Sequence, residues 1–326
     1  YRTWWAYICY FIFAAGLIYL LVYLNSRRLV AKNKKLEEII RIRTQEVVEQ
    51  KEEIQEQKET IETILDDLND SISYAKQIQE AILPPEEVLK ENFDDSFILF
   101  KPRNVVSGDF YWATRVKEWL VFTVADCTGH GVPGAFMSML GISFLNEIVR
   151  NKEITRAGEI LDHLINSVIE ALKQKDSLIA MDMRPDHKIA VKDGMDIVLC
   201  VYNTETGMLQ FSGANNPLFI VKNNGELVEI KPDKQPVAIH IEMHPFTNNE
   251  VSLEKGDRLY LITDGYQDQF GGEKNKKYKI VNLKQKFTEN YRLPMNEQLD
   301  SLHNTFESWK GDLEQIDDVT IMGVRI

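Results

Sequence analysis

Between Gly16 and Pro84 the chain contains neither a glycine nor a proline. So long a stretch without a helix breaker fits one continuous α-helix, and that helix must stop at Pro84 and Pro85, which cannot continue it. At its N-terminal end, residues 4–24 (WWAYICYFIFAAGLIYLLVYL) carry no charge. At about 1.5 Å per residue they span roughly 31 Å, one hydrocarbon thickness. Trp4, Trp5 and Tyr7 sit at one end and Tyr23 at the other, as interfacial aromatic belts do, and Arg27, Arg28, Lys32, Lys34 and Lys35 follow directly. A secretory signal would carry its basic residues on the other side and a small-residue cleavage site after the apolar run. The expectation is a single-pass span of the inner (cytoplasmic) membrane with everything C-terminal to it in the cytoplasm. The chain opens on Tyr1 rather than Met, so a further N-terminal sensor is expected ahead of it.

The helix then changes character. Ile40, Val47, Ile54, Ile61, Leu68, Ala75 and Ile82 recur every seven residues, and with these at heptad position a, position d holds Leu36, Arg43, Gln50, Gln57, Ile64, Ser71 and Ile78. That pattern predicts a parallel homodimeric coiled coil with a weak polar seam from Arg43 to Gln57. A weak seam reads either as an imperfect coil that is merely tolerated or as a signalling stalk whose register shifts at small free-energy cost.

From about residue 90 the sequence turns globular. SFILFKP, DFYWATRV and EWLVFTVAD read as strands, the last two joined by a tight turn near Lys117 and Glu118. Residues 133–150 and 157–174 read as helices from their helical spacing of apolar residues. Strands resume at DIVLCVYN, LQFSGA, LFIVKN, GELVEI, EVSLEK and RLYLITD, followed by helices over roughly 278–290 and 294–309 and a last strand, DVTIMGVRI. Strand runs on both sides of helices predict a sheet-on-sheet core with outer helices, an α+β class. Three domains are expected: a transmembrane helix over 1–25, a stalk and switch helix over 26–85, and a catalytic domain over 86–326.

The stretch VADCTGHGVPGAF, Val124–Phe136, ends an apolar run on an aspartate and follows it with glycines. Gly129-His-Gly131-Val-Pro-Gly134 formally matches a dinucleotide-binding loop. Antiparallel-looking strands before it, a second helix after it, and Asp126 beside the would-be pyrophosphate with no offsetting lysine all argue against that use. Asp126 also has counterparts. Asp109 in SGDFYW, Asp264 in LITDGYQD, and Asp317 and Asp318 in QIDDVTIMG each stand at a strand end beside a glycine or a second aspartate. Each alone reads as a turn or cap residue. Together they suggest converging carboxylates, which repel and shift their pKa values unless a cation lies among them. Oxygen-only donors select Mg²⁺ or Mn²⁺, and a pair of such ions activates water for attack on a phosphoryl group. Cys9, Cys127 and Cys200 are too far apart to match a zinc or disulfide spacing, and a net charge of -12 argues against nucleic acid as the main partner.

RNVVSGDFYW, VADCTGHGVPGAFMSMLG, GANNPLFIV, LYLITDGYQDQF and DDVTIMGV, in this order, resemble the SpoIIE/RsbU-like branch of PPM-type serine/threonine protein phosphatases. The resemblance covers roughly residues 70–326, and YAKQIQEAILPP resembles the helix that precedes the domain in relatives. It implies an αββα sandwich of two antiparallel sheets flanked by helices, with two bound Mn²⁺ or Mg²⁺ ions. Asp126 resembles the aspartate that bridges both metals. Asp109 and Asp264 resemble further ligands, and Cys127 falls where a backbone carbonyl is the ligand. Asp317 resembles the ligand of the last motif, with Asp318 one register away. The implied activity is hydrolysis of phosphoserine or phosphothreonine on a partner protein, for which the family suggests an anti-sigma-factor antagonist, under control of the preceding helix over residues 60–85.

Other positions keep two readings. His130 is a general acid for the leaving serine oxygen or a solvent-facing loop residue. Arg103 holds the phosphate or makes a surface salt bridge. Asn215 and Asn216 depart from a histidine-containing variant in relatives and read as a turn before Pro217, while Asp193 and Asp196, extra acids near a strand start, read as a weaker metal site or, in preference, as solvated turn residues. A sensor histidine kinase would also combine a membrane helix with a coiled coil, but residues 25–100 contain no histidine to accept a phosphoryl group. A non-catalytic scaffold of the same fold is countered by retention of all the aspartates.

Overall fold

The computed structural model describes residues 4–85, 87–93, 95–174, 193–240 and 242–326; the first three residues of the expected membrane segment lie outside them. The chain divides into two units, Tyr1–Asp70 and Ser71–Ile326.

The first unit belongs to one helix, α1, which runs from Trp4 to Ile82 and stops just before the two prolines. An apolar window near its N-terminus reaches a mean hydropathy of 2.2, enough in length and composition to cross a membrane. A second segment, Val132–Asn151, passes the same test but is half buried, as a core helix of a globular domain would be. Ile40, Val47, Ile54, Ile61 and Leu68 are all exposed, so the heptad stripe of a single chain stands without a partner.

In the second unit a short α2 (Glu87–Lys90) leads into β1 (Asp95–Lys101), β2 (Phe110–Val116) and β3 (Trp119–Cys127). Val116 pairs with Trp119, so the β2–β3 turn is two residues long, and Lys117 takes it in the left-handed region at φ 56. Next come α3 (Val132–Leu145), a π-helical turn (Asn146–Asn151) and α4 (Ala157–Ala171). Strands β4 (Met195–Asn203), β5 (Met208–Ala214), β6 (Leu218–Val221), β7 (Leu227–Ile230), β8 (Asn249–Ser252) and β9 (Arg258–Ile262) follow. The chain ends with α5 (Gly265–Asp268), a hairpin of β10 (Phe270–Gly271) and β11 (Lys276–Lys277), α6 (Ile280–Asn290), α7 (Met295–Lys310) and β12 (Val319–Arg325). The π-helical turn and the small β10–β11 hairpin are additions to the sequence reading. Trp112 Nε1 donates to Asn146 Oδ1 and Arg150 Nε to Thr114 Oγ1, pinning the wide turn to β2.

Two five-stranded antiparallel sheets form, in the orders β1-β12-β9-β6-β7 and β2-β3-β4-β5-β8. Strand alternation assigns the layers. On β3, Leu120, Phe122 and Val124 enter the core between the sheets, where they join Phe211, Leu218, Leu259 and Met322. Val121 and Ala125, on the opposite face, pack under α3 and α4 with Ile142, Leu161 and Leu164. On the outer face of the other sheet, Tyr260, Ile262 and Ile321 pack under α6 and α7 with Phe287 and Phe306. Because both faces of each sheet are covered, β3 and β9 read as continuous apolar runs. This is the expected αββα sandwich.

Candidate metal centre

Every candidate aspartate stands at a strand end on the same edge of the sandwich. Asp109 immediately precedes β2, Asp126 is the penultimate residue of β3, Asp264 follows β9, and Asp317 and Asp318 precede β12. Phe110 pairs with Ala125, so Asp109 and Asp126 come from adjacent strands of one sheet, whereas Asp264 and Asp317 come from adjacent strands of the other. Asp109, 1% exposed, crosses between the sheets: its Oδ2 accepts from Thr263 Oγ1 at 2.7 Å and from Thr320 Oγ1 at 2.8 Å.

The electrostatics show how close these acids are. Burial pushes the Asp126 carboxyl up to about 10, reinforced by the charges of Asp109, Asp264, Asp317 and Asp196. Burial likewise raises Asp109 to about 8 against the two threonine hydrogen bonds, with Asp318 and Asp317 adding to the rise. Asp264 rises to about 6 through burial and the charges of Asp317 and Asp268, opposed by a hydrogen bond with Asp126. Asp317 is raised by burial, opposed by the Asp318 N–H, Arg103 and His130. Such a group holds protons or a cation at neutral pH.

The donor chemistry fits a hard divalent ion, since every side chain in the group offers oxygen. Among the described residues no three acidic, imidazole or thiol side chains form a ready-made metal-binding cluster.

Asp317 and Asp318 have different surroundings. Asp318 is 3% exposed, and its oxygens accept the backbone N–H of Arg103 at 2.6 Å and of Gly108 at 2.7 Å. Asp317 carries the interactions with Asp264, Arg103 and His130. The Cys127 thiol lies in the core under α3, pushed well up by burial, so only its backbone is available to the site. Gly108 explains part of the glycine requirement: a Cβ there would stand 2.5 Å from the Gly129 carbonyl oxygen and 3.2 Å from that of Cys127. Gly134 approaches the same Gly129 carbonyl from α3, where a Cβ would lie 2.4 Å away.

Arg103 and His130 are both exposed, and among the described residues Arg103 makes no side-chain ion pair. His130 Nδ1 lies 3.1 Å from Asn104 Oδ1, so the ring is tethered rather than loose. Asp196, read from sequence as a solvated turn residue, is instead in β4 directly opposite Asp126 and partly buried. Asn215, at φ 57, donates to its Oδ1 at 2.8 Å, giving the first asparagine of GANNP a contact at the site. An aspartate opening an apolar strand was the available signal for Asp196; Asn104 had none. A fourth connection comes from α1. Gln79, 4% exposed, donates to Ser107 O at 2.7 Å and Ser138 Oγ at 2.8 Å and accepts from Ser107 N at 3.0 Å.

Two antiparallel sheets between helix layers, with acids gathered at one edge, define a PPM-type phosphatase domain. The family model described as Stage II sporulation protein E (SpoIIE) matches residues 117–326. The chain belongs to that family, within the PPM-type serine/threonine protein phosphatases. Its second unit resembles the SiaA-PP2C domain of Pseudomonas aeruginosa, at 30% identity and a TM-score of 0.70, covering 80% of this chain and 98% of that one. The phosphoserine phosphatase RsbU of Bacillus subtilis (strain 168) is 25% identical over 215 residues, 64% of this chain; the chain spans 56% of that relative's length. The PP2C phosphatase domain of SpoIIE from Bacillus subtilis, with a fragment of its regulatory domain, shares the fold at 20% identity and a TM-score of 0.54, covering 71% of this chain and 63% of that one.

Proposed function

We propose that this chain is a membrane-anchored, metal-dependent protein phosphatase that removes phosphate from serine or threonine on a regulatory protein. The observation that carries the reading is the gathering of Asp109, Asp126, Asp264 and Asp317, from both sheets, into one group whose members raise one another's pKa. These four side chains, with the Cys127 backbone, would hold two Mn²⁺ or Mg²⁺ ions. When bound, such ions supply a water of lowered pKa and offset charge on the phosphoryl oxygens. The chain's own groups do the rest. Asp318 fixes the backbone of Arg103 and Gly108. Arg103, which makes no side-chain ion pair among the described residues, holds the phosphate by charge-assisted hydrogen bonds. His130, oriented by Asn104, returns a proton to the leaving serine oxygen.

The N-terminal segment anchors the chain, the basic residues after it favour a cytoplasmic catalytic domain, and the heptad stripe supports a parallel dimer. Gln79 gives the last turns of α1 a direct connection to the segment before Asp109, which supports control of the site through residues 60–85. The partner favoured by the family resemblance is an anti-sigma-factor antagonist. The test is phosphate release from p-nitrophenyl phosphate in Mn²⁺. Activity that persists after chelation, or in both Asp126→Asn and Asp264→Asn, would sink the two-ion mechanism.

A further inference from the structure

The hairpin that follows the Asp264 motif is strongly basic in an acidic chain. Residues 270–279 (FGGEKNKKYK) carry four lysines and one glutamate, a local charge of +3 against -12 for the whole. All four lysines are exposed. Lys277 pairs with Asp268 at 2.7 Å and lies near enough to Asp264 to feel its charge. Lys274 and Lys276 have no ion pair among the described residues.

The hairpin is also firmly seated. A Cβ at Gly271 would stand 1.9 Å from the Trp309 carbonyl oxygen, and one at Gly272 2.8 Å from the Trp309 ring, so the turn rests directly on the end of α7. Tyr278 N and Lys279 N donate back to Gln269 O and Gln267 O, next to α5. One wall of a groove of about 540 Å³ is formed by Tyr278, and Ser301, Asn304, Thr305, Ser308 and Trp309 of α7 complete it. A basic hairpin thus follows closely in the chain on the loop that carries Asp264, and it borders a groove of mixed aromatic, hydroxyl and amide side chains.

We propose that this hairpin and groove dock an acidic segment of the phosphoprotein substrate flanking its phosphoserine. The proposal rests on the phosphatase reading and adds a substrate class to it. Charge complementarity favours an acidic partner, because exposed lysines without ion pairs attract carboxylates and raise the encounter rate of an anionic chain. The groove supplies donors and acceptors to the backbone of that segment.

The test uses the full chain in detergent with Mn²⁺ and two synthetic phosphoserine peptides, one with aspartate and glutamate flanks and one with serine and glycine flanks. p-Nitrophenyl phosphate, which has no flanking chain, is the reference substrate. The wild type is expected to show about tenfold higher kcat/KM on the acidic peptide through KM, a preference that collapses at high salt. Lys274→Glu with Lys276→Glu should abolish or invert it, and Lys274→Arg with Lys276→Arg should keep it. Equal use of both peptides by the wild type, or an equal loss on both in the glutamate variant, would overturn the proposal. So would loss of binding to phosphatidylserine vesicles in that variant without any peptide preference, which would assign the hairpin to a lipid surface. A wild type inert towards p-nitrophenyl phosphate would instead overturn the phosphatase reading beneath it.

Discussion

Replacing Gln79 by alanine tests whether α1 communicates with the site. The side chain is 4% exposed and makes three hydrogen bonds, two of them to the backbone of Ser107, two residues before Asp109, and one to Ser138 on α3. Truncation leaves the buried Ser107 N–H without its acceptor and the Ser107 C=O with only the longer 3.5 Å contact from Ser138 Oγ, and each unsatisfied group costs about 1–3 kcal/mol. Docking of the last turns of α1 should therefore weaken by roughly 2–4 kcal/mol, a factor of about 30 to 1,000 in the docked equilibrium. The same loop carries Gly108, whose N–H reaches Asp318, so its release loosens both Asp109 and the Asp318 anchor. The assay is p-nitrophenyl phosphate hydrolysis titrated with Mn²⁺, alongside thermal unfolding, with Gln55→Ala on the exposed stalk as control. Gln79→Ala should raise the Mn²⁺ concentration for half-maximal rate at least tenfold, while the control leaves it in place. A fall in Tm with an unchanged Mn²⁺ dependence would refute the reasoning, since Gln79 would then be a packing residue only.

Three other perturbations have defined outcomes. The folded-state pKa of Asp126 is raised from 3.8 to about 10, so the folded chain holds this proton more tightly than the unfolded one, and this group's contribution to metal-free stability is fully present below about pH 4 and is lost as pH rises towards 10. Asp126→Asn should therefore raise the Tm of chelator-treated protein at pH 8 by several degrees while abolishing activity; an equal or lower Tm would contradict the cluster's self-repulsion. Asp317→Asn should weaken Mn²⁺ binding, measured by calorimetry, with little loss of Tm, whereas Asp318→Ala should cost roughly 2–4 kcal/mol of stability, read as a fall in Tm, because two backbone donors lose their acceptor; the reverse pattern would exchange their roles. Gly134→Ala places a Cβ 2.4 Å from Gly129 O, and it should lose activity and Tm together, whereas Gly16→Ala, with nothing within 4 Å of its Cβ, should leave the Tm of the phosphatase domain unchanged.

The sandwich was legible because its strands are buried on both faces and its helices carry periodic apolar stripes. β3 and β9 could be placed within a residue or two from their apolar runs, and the aspartates that close them stood out as polar residues interrupting strands. The parts that were not legible depend on distant pairing. Asp196 looks like a turn residue in KDGMD until β4 is laid against β3, when the register sets it across from Asp126. The roles of Asp317 and Asp318 cannot be separated by spacing, because the difference lies in which one meets the N–H groups of Arg103 and Gly108, more than two hundred positions away. The β10–β11 hairpin is two residues per strand, too short for a period, and what seats it is the absence of a Cβ at Gly271 against α7.

The glycines of VADCTGHGVPGAF join these two kinds of information. Read locally they imitate a nucleotide loop. In the folded domain the Gly129 carbonyl is held between Gly108, from the segment before β2, and Gly134, from α3, at distances that no side chain tolerates. The requirement for glycine is therefore shared by two separated positions, Gly108 and Gly134, and directed at one backbone group. That group lies between Asp126 and His130 in the chain, so the same close packing that excludes side chains also restrains the Asp126 carboxylate relative to the proposed acid. A phosphate-cradling loop would instead need its N–H groups pointing outward to a ligand. Here the α3 N-terminus is entered through Gly131 at φ 66, and the loop before it is built for backbone-to-backbone approach around the acids.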